Sequence, residues 1–78
     1  DVCVRFTKAV APFIKEKNWH PTQQIKKLKD GSVELSLELS HLSDIQRWIL
    51  GWGSQATVLG PKELAEAVRA EAQGIVDN

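Results

Sequence analysis

Apolar and polar residues alternate at the start of the chain. Val2, Val4 and Phe6 share one side, Cys3 and Arg5 the other. A period of two is the mark of a half-buried strand, so residues 2–6 are predicted as the first strand. A cleaner alternation runs over residues 33–39, with Val33, Leu35, Leu37 and Leu39 facing in and Glu34, Ser36 and Glu38 facing out. Between them the spacing turns helical at Val10, Phe13, Ile14 and Lys17, and Thr7 can cap the start. Pro12 interrupts this helix. A proline there deletes a backbone bond and crowds the turn before it, so the first turn is expected to tighten ahead of Pro12. Asn18 ends the helix. Pro21 drives His20 towards extended backbone and suits a strand start or edge. Residues 22–29 read as the second strand.

Asp30-Gly31 is a tight-turn signal. A two-residue loop there would oppose Leu28 to Val33 and Lys26 to Leu35, sending Ile25 to the polar face. A bulge near Lys26-Lys27, or a longer loop, returns Ile25 to the core. The bulge also turns Gln23 inward, where its amide needs partners.

The stretch Arg47-Trp48-Ile49-Leu50-Gly51-Trp52-Gly53-Ser54 holds two of the three tryptophans. It reads as the end of a second helix, capped at Ser40 or Ser43 and running to about Trp52. Ser43 and Gln46 have capping-box spacing, and Gly53 supplies a left-handed stop. With a step of about 100° per residue, Leu42, Trp48, Ile49 and Trp52 cluster around Ile45, while Ser43, Arg47 and Leu50 fall on the far side. Both tryptophans are expected in the core. A tryptophan also carries an N–H that wants a partner, so one of them at a pocket edge or subunit contact is the alternative. Leu50 is apolar on the wet face, where a partner could cover it.

Residues 55–59 form a fourth strand. Gly60-Pro61 breaks it and opens a third helix whose inner face is marked by Leu64, Val68 and Ala72, with Ile75 nearby. Gly74 predicts fraying. The order predicts an α+β fold: a ferredoxin-like βαββαβ sandwich with an antiparallel four-stranded sheet and an additional C-terminal helix. That helix is expected to be an arm, or a cover for the sheet or an edge.

A length of 78 residues allows one domain with a thin core. Ten basic residues balance ten acidic ones, which is not the electrostatic footprint of a duplex-binding module. No apolar run approaches the ~20 residues of a membrane span, so no membrane partner is expected. The single Cys3 cannot form an internal disulfide, which fits a cytoplasmic setting. The chain has no methionine and begins in a strand, so it is expected to be a piece of a longer protein.

The chemistry-bearing residues are sparse. His20 and His41 are the only histidines and no cluster has metal-ligand spacing. Cys3 has no helix start nearby to activate it. Glu34 and Glu38 share a polar strand face, and Lys26, Lys27 and Lys29 form a small basic run on the hairpin; both read as solvated surface. No catalytic residue, cofactor or metal is predicted. RNA-recognition domains of this fold would show stacking aromatics on central strands, and an acylphosphatase would show a glycine-rich anion loop after the first strand. Strand three has no aromatic residue, and Thr7-Lys8-Ala9 is not such a loop. The absences favour a regulatory or interaction module over an enzyme.

Five stretches then carry a resemblance, in order along nearly the whole chain. They are Val4-Arg5-Phe6, Trp19-His20-Pro21-Thr22-Gln23, Asp30-Gly31-Ser32-Val33-Glu34-Leu35, Arg47-Trp48-Ile49-Leu50-Gly51-Trp52-Gly53 and Val58-Leu59-Gly60-Pro61-Lys62-Glu63-Leu64. Together they resemble the C-terminal extension (WCX) domain of bacterial WYL-type transcriptional regulators. Trp48-Ile49-Leu50 looks like the tripeptide that names WYL domains, but that tripeptide belongs to the preceding domain. The resemblance implies that residues 1–78 are a single WCX-like domain. It implies a parent in which a helix-turn-helix domain binds DNA and a WYL domain follows. It also implies a role in dimerisation, in contact with the parent's WYL domain, and in relaying effector state. A nucleic-acid or nucleotide effector would act through the parent. Partner or effector contact is expected at Trp19, His20, Gln23, Arg47, Leu50 and Trp52. Arg47 offers a planar cation, and Trp19, Leu50 and Trp52 offer apolar surface. The alternative is a small-molecule or nucleotide effector-binding, ACT-like sensor domain, to which Arg5, His20 and Gln23 could contribute.

Overall fold

Alternation in residues 2–6 produces the central strand of the molecule. The computed structural model describes residues 1–78. The elements run β1 (Val2–Phe6), α1 (Ala11–Glu16), β2 (Gln24–Lys27), β3 (Val33–Leu37), α2 (Ser43–Leu50), β4 (Ala56–Gly60) and α3 (Lys62–Asp77). A short 3₁₀ turn at Gly53–Gln55 joins α2 to β4. The strands make one sheet in the order β2-β3-β1-β4, and every neighbouring pair is antiparallel. The protein is therefore a mixed α+β fold with a four-stranded antiparallel sheet and a C-terminal helix. No helix is long and apolar enough to cross a membrane.

Strand β1 lies inside the sheet because its alternate residues find apolar partners on both sides. Val4 is opposite Leu35 and Val58, and Phe6 is opposite Val33 and Ala56. The core gathers Val2, Val4 and Phe6 with Val33, Leu35 and Leu37, and with Ala11 and Ile14 of α1, Ile49 of α2 and Leu64 of α3. All three helices thus cover one face of the sheet. Each of the larger side chains contributes about 1.5–3 kcal/mol by leaving water. The opposite face carries Cys3, Arg5, Lys26, Glu34 and Ser36, with an Arg5–Glu34 ion pair at 3.2 Å between residues that face each other across β1 and β3.

The hairpin resolves its parity conflict with a longer loop. Ile25 pairs with Leu35 and Lys27 with Val33, so Ile25 joins the core. The Leu28 N–H donates to the Ser32 carbonyl at 2.9 Å and the Gly31 N–H to the Leu28 carbonyl at 3.1 Å. Residues 29–31 thereby form a three-residue loop in which Gly31 takes φ +90°. A β-carbon at Gly31 would meet the Lys8 Cβ at 3.1 Å, so both backbone and space select glycine. The Ser32 N–H donates to the Asp30 carboxylate at 2.9 Å, and the Ser32 hydroxyl donates to the same oxygen.

Several expectations change. β2 and β3 are shorter than residues 22–29 and 33–39, and Leu39 packs on the core from beyond the end of β3. β4 is shifted one residue, to Ala56–Gly60. The N–H groups of Val10 and Ala11 both donate to the Thr7 carbonyl, so the turn before α1 tightens as Pro12 requires. The Thr7 side chain caps nothing and bonds the Gln55 side chain instead. Phe13 is 57% exposed, because a helix of only six residues buries Ala11 and Ile14 and turns its neighbour out. Leu42 occupies the cap position of α2, and no serine side chain caps it. α2 ends at Leu50, and Gly53 (φ +61°) supplies the left-handed residue just beyond. α3 runs through Gly74 to Asp77. Its Leu64 is buried and Val68 packs on the core, whereas Ile75 and Val76 are 67% and 76% exposed.

Hydrogen bonds from Ser32 hold the Asp30 carboxyl below its ordinary pKa. A depressed folded-state pKa adds stability above the ordinary carboxyl range and loses it as pH falls through the folded value. Asp30→Asn is therefore expected to lower the urea midpoint most at neutral pH, with the difference from wild type shrinking in strong acid. Parallel curves at every pH would show that Asp30 ionisation does not contribute. Gly31→Ala is expected to cost about 1 kcal/mol or more through its positive φ.

Candidate functional site

Phe6 is fully buried where β1 ends, at the base of a group of three tryptophans of which Trp48 and Trp52 touch it. Its ring lies 5.6 Å from Trp48 and 5.8 Å from Trp52, edge to face in both cases. Trp19 closes the group at 5.1 Å from Trp48 and 6.4 Å from Trp52. Trp48 and Trp52 are one helical turn apart and 5.9 Å centre to centre. Edge-on pairs of this kind add about 0.5–1.5 kcal/mol each beyond the area they bury. Each tryptophan is only half-buried, so the cluster is both core and surface.

The segment from Asn18 to Gln23 has no regular structure, and side chains fix it. The Trp19 indole N–H donates to the Ile14 carbonyl at 3.0 Å. The Gln23 carbonyl oxygen accepts the backbone N–H groups of Trp19 and His20, and its amide donates to the Lys17 carbonyl at 3.3 Å. The inward glutamine thus has its partners. The Thr22 N–H donates to His20 Nδ1 at 3.2 Å. Thr22 Oγ1 lies 2.7 Å from the same nitrogen and accepts the Glu38 N–H at 2.9 Å. That chain of bonds ties the segment to the end of β3.

Two hollows flank α2. One, of about 410 Å³, lies between Trp19-His20, residues 37–41 and the α2 side chains Asp44, Ile45 and Trp48. The other, of about 580 Å³, is a mainly apolar groove between α2, β4 and α3, with Leu50, Val58, Val68, Ile75 and Val76 among its walls. No group of three His, Cys, Asp or Glu side chains is placed to hold a metal ion.

Of the residues expected at a contact, Trp19, His20, Gln23 and Trp52 come together around the tryptophan cluster. Leu50 lies apart from them, half-buried in the α2–β4–α3 groove. Arg47 is exposed on α2 and lines neither hollow. Arg5 is on the opposite face of the sheet, paired with Glu34, and so does not join His20 and Gln23. Sequence pattern missed three features. Phe6 reads as one more alternating strand residue, with nothing to mark it as the centre of the aromatic group. Glu38 just beyond β3 and Asp44 on α2 lie six residues apart, yet both line one hollow. Val76 was not singled out beside the fraying expected at Gly74, but it lines the groove together with Ile75, Val68 and Ala72.

Fold and surface together define a small α+β domain with a tryptophan-walled hollow and an apolar groove on either side of one helix. Residues 1–76 match the family model of the WCX domain, and the chain belongs to that family. It is similar to Protein PafC of Mycobacterium tuberculosis, with 34% identity over 59 residues in both strain CDC 1551 / Oshkosh and strain H37Rv. Those matches cover 76% of this chain and 19% of the relative, so the chain spans about a fifth of the length of the curated relatives it matches.

Gln23→Leu keeps the volume but strips two N–H groups of their acceptor and the Lys17 carbonyl of its donor. The expected loss is about 1–3 kcal/mol in urea unfolding followed by tryptophan fluorescence, with a red-shifted emission. Gln23→Glu keeps the acceptor and should lose less. Equal losses would remove the acceptor role. Phe6→Ala is expected to cost about 3–5 kcal/mol, a large part of the stability of any domain this size.

Proposed function

We propose that the chain is a non-catalytic regulatory and oligomerisation domain of a bacterial DNA-binding transcriptional regulator. In this reading it relays effector state to N-terminal helix-turn-helix domains that bind the DNA. The single observation that carries the reading is membership of the WCX family across residues 1–76. The length of the relatives is consistent with it, since about four-fifths of Protein PafC lies outside the aligned region. DNA-binding and WYL domains would occupy that remainder. A nucleotide or nucleic-acid effector would bind there, and the setting would be the cytoplasm.

The α2–β4–α3 groove is the surface best suited to the assembly role. It is mainly apolar and open, and α3 leaves Ile75 and Val76 exposed beside it. Exposed apolar residues gathered at one place favour contact with another protein surface. A second copy of the chain, or the parent's WYL domain, would cover it. Leu50 then acts as apolar contact in the groove, while Arg47 offers a charge elsewhere on the exposed surface of α2.

Sedimentation equilibrium over a wide concentration range tests the assembly part. The chain is expected to dimerise at micromolar concentration, and Leu50→Asp to weaken the dimer at least tenfold while leaving the monomer folded. Wild-type association that Leu50→Asp does not change would exclude the groove. A strict monomer would leave the WYL domain as the partner.

A further inference from the structure

We propose that the hollow between Trp19-His20, residues 37–41 and the start of α2 is a binding site for a small organic cation: an amine or quaternary ammonium attached to an apolar or planar body. The site lies wholly within this chain and stands independently of the regulatory reading.

Size comes first. A hollow of about 410 Å³ falls in the range that takes a small ligand, and half of its ten lining residues are hydrophobic. Its walls include two adjoining tryptophans, Trp19 and Trp48, whose rings are tilted 55° to one another. Indole faces are negative and attract cations. One of these rings already does so within the protein, since the Lys17 ammonium sits 5.5 Å from the centre of Trp19. Lys17 lines a neighbouring hollow and not this one.

Charge then selects the sign of the ligand. Two carboxylates, Glu38 and Asp44, face the hollow, and no lysine or arginine lines it. The ion pairs of the protein are Arg5–Glu34 and Lys62–Glu66, which leaves Glu38 and Asp44 without a basic partner. Asp44 also suits the first turn of α2, where the helix dipole favours a negative charge, but Glu38 precedes the helix and gains nothing there. An anionic ligand would face two like charges; a cationic one would find two carboxylates and two aromatic rings.

The hollow is also built in advance. Gln23 holds Trp19 and His20 through their backbone N–H groups, and Thr22 bonds both the His20 ring and the Glu38 N–H. A wall fixed in this way loses little freedom when a ligand binds.

The test is a titration of the ¹⁵N-labelled chain with phenethylammonium, with phenylacetate as the anion of matching size. The amine is expected to give a saturable shift of the Trp19 and Trp48 indole signals and of backbone amides in residues 37–45. Phenylacetate is expected to move them little. Glu38→Gln with Asp44→Asn alters two exposed side chains, keeps the folded spectrum, and should weaken amine binding at least fivefold. No saturable shift, an equal response to phenylacetate, or unchanged affinity in the double variant would each overturn the proposal.

Discussion

Packing of Trp48 and Trp52 on the Phe6 ring, with Trp19 against both tryptophans, is the interaction on which the rest depends. It joins the central strand to α2 and to the irregular segment that precedes β2. Only eleven of 78 residues are buried, so the aliphatic core is thin for the number of elements it must hold. Small domains meet this limit because their surface is large for their volume. Large aromatic rings supply much apolar contact from few residues. They do so here at the edge of the core, where Phe6 is buried and each tryptophan stays partly exposed. The residues that stabilise the fold are therefore the same ones that shape its surface.

Polar bonding completes what the aromatics begin. Trp19 cannot be held by a helix or a strand, because Asn18 to Gln23 belongs to neither. Its indole N–H, its backbone N–H and that of His20 each find an acceptor in Ile14 or Gln23. A buried or half-buried donor left without an acceptor is costly, and a single glutamine satisfies two of them. Thr22 extends the network to the backbone of Glu38. An irregular segment thus gains the rigidity that elements normally supply.

Strand pattern was legible in the sequence for a simple reason. Val2, Val4 and Phe6, or Val33, Leu35 and Leu37, must alternate when one sheet face is covered by helices and the other is wet. Even the hairpin loop could be inferred, because a one-residue slip would have expelled Ile25. The family was legible too, from short stretches that hold their order. What did not show were consequences of packing between distant elements. Phe13 follows helical spacing, yet α1 is too short to bury both it and Ile14. Ser43 has the sequence of a cap, but Leu42 occupies that position and packs against the core. The meeting of Trp19 with Trp48 depends on where an irregular segment crosses α2, and no local period encodes that. Leu50 looked like an isolated exposed leucine until α3 placed Val68 and Val76 across from it.

Helix α2 is the one regular element that contributes to both hollows. Trp48 walls the first, Leu50 walls the second, and Ile49 between them is buried in the core and also borders the second. A helix sets successive side chains about 100° apart, so neighbouring residues of one short helix can face different surfaces. This geometry constrains how the two surfaces can act. Trp48 and Leu50 lie two residues apart on the same short helix, so any shift of α2 would move both. Ile49 resists such movement, because a close-packed core does not deform continuously. Binding in one hollow would therefore influence the other only if α2 has a second seating for Ile49. Where it has one, the influence runs equally in both directions, because coupling between two binding events is reciprocal.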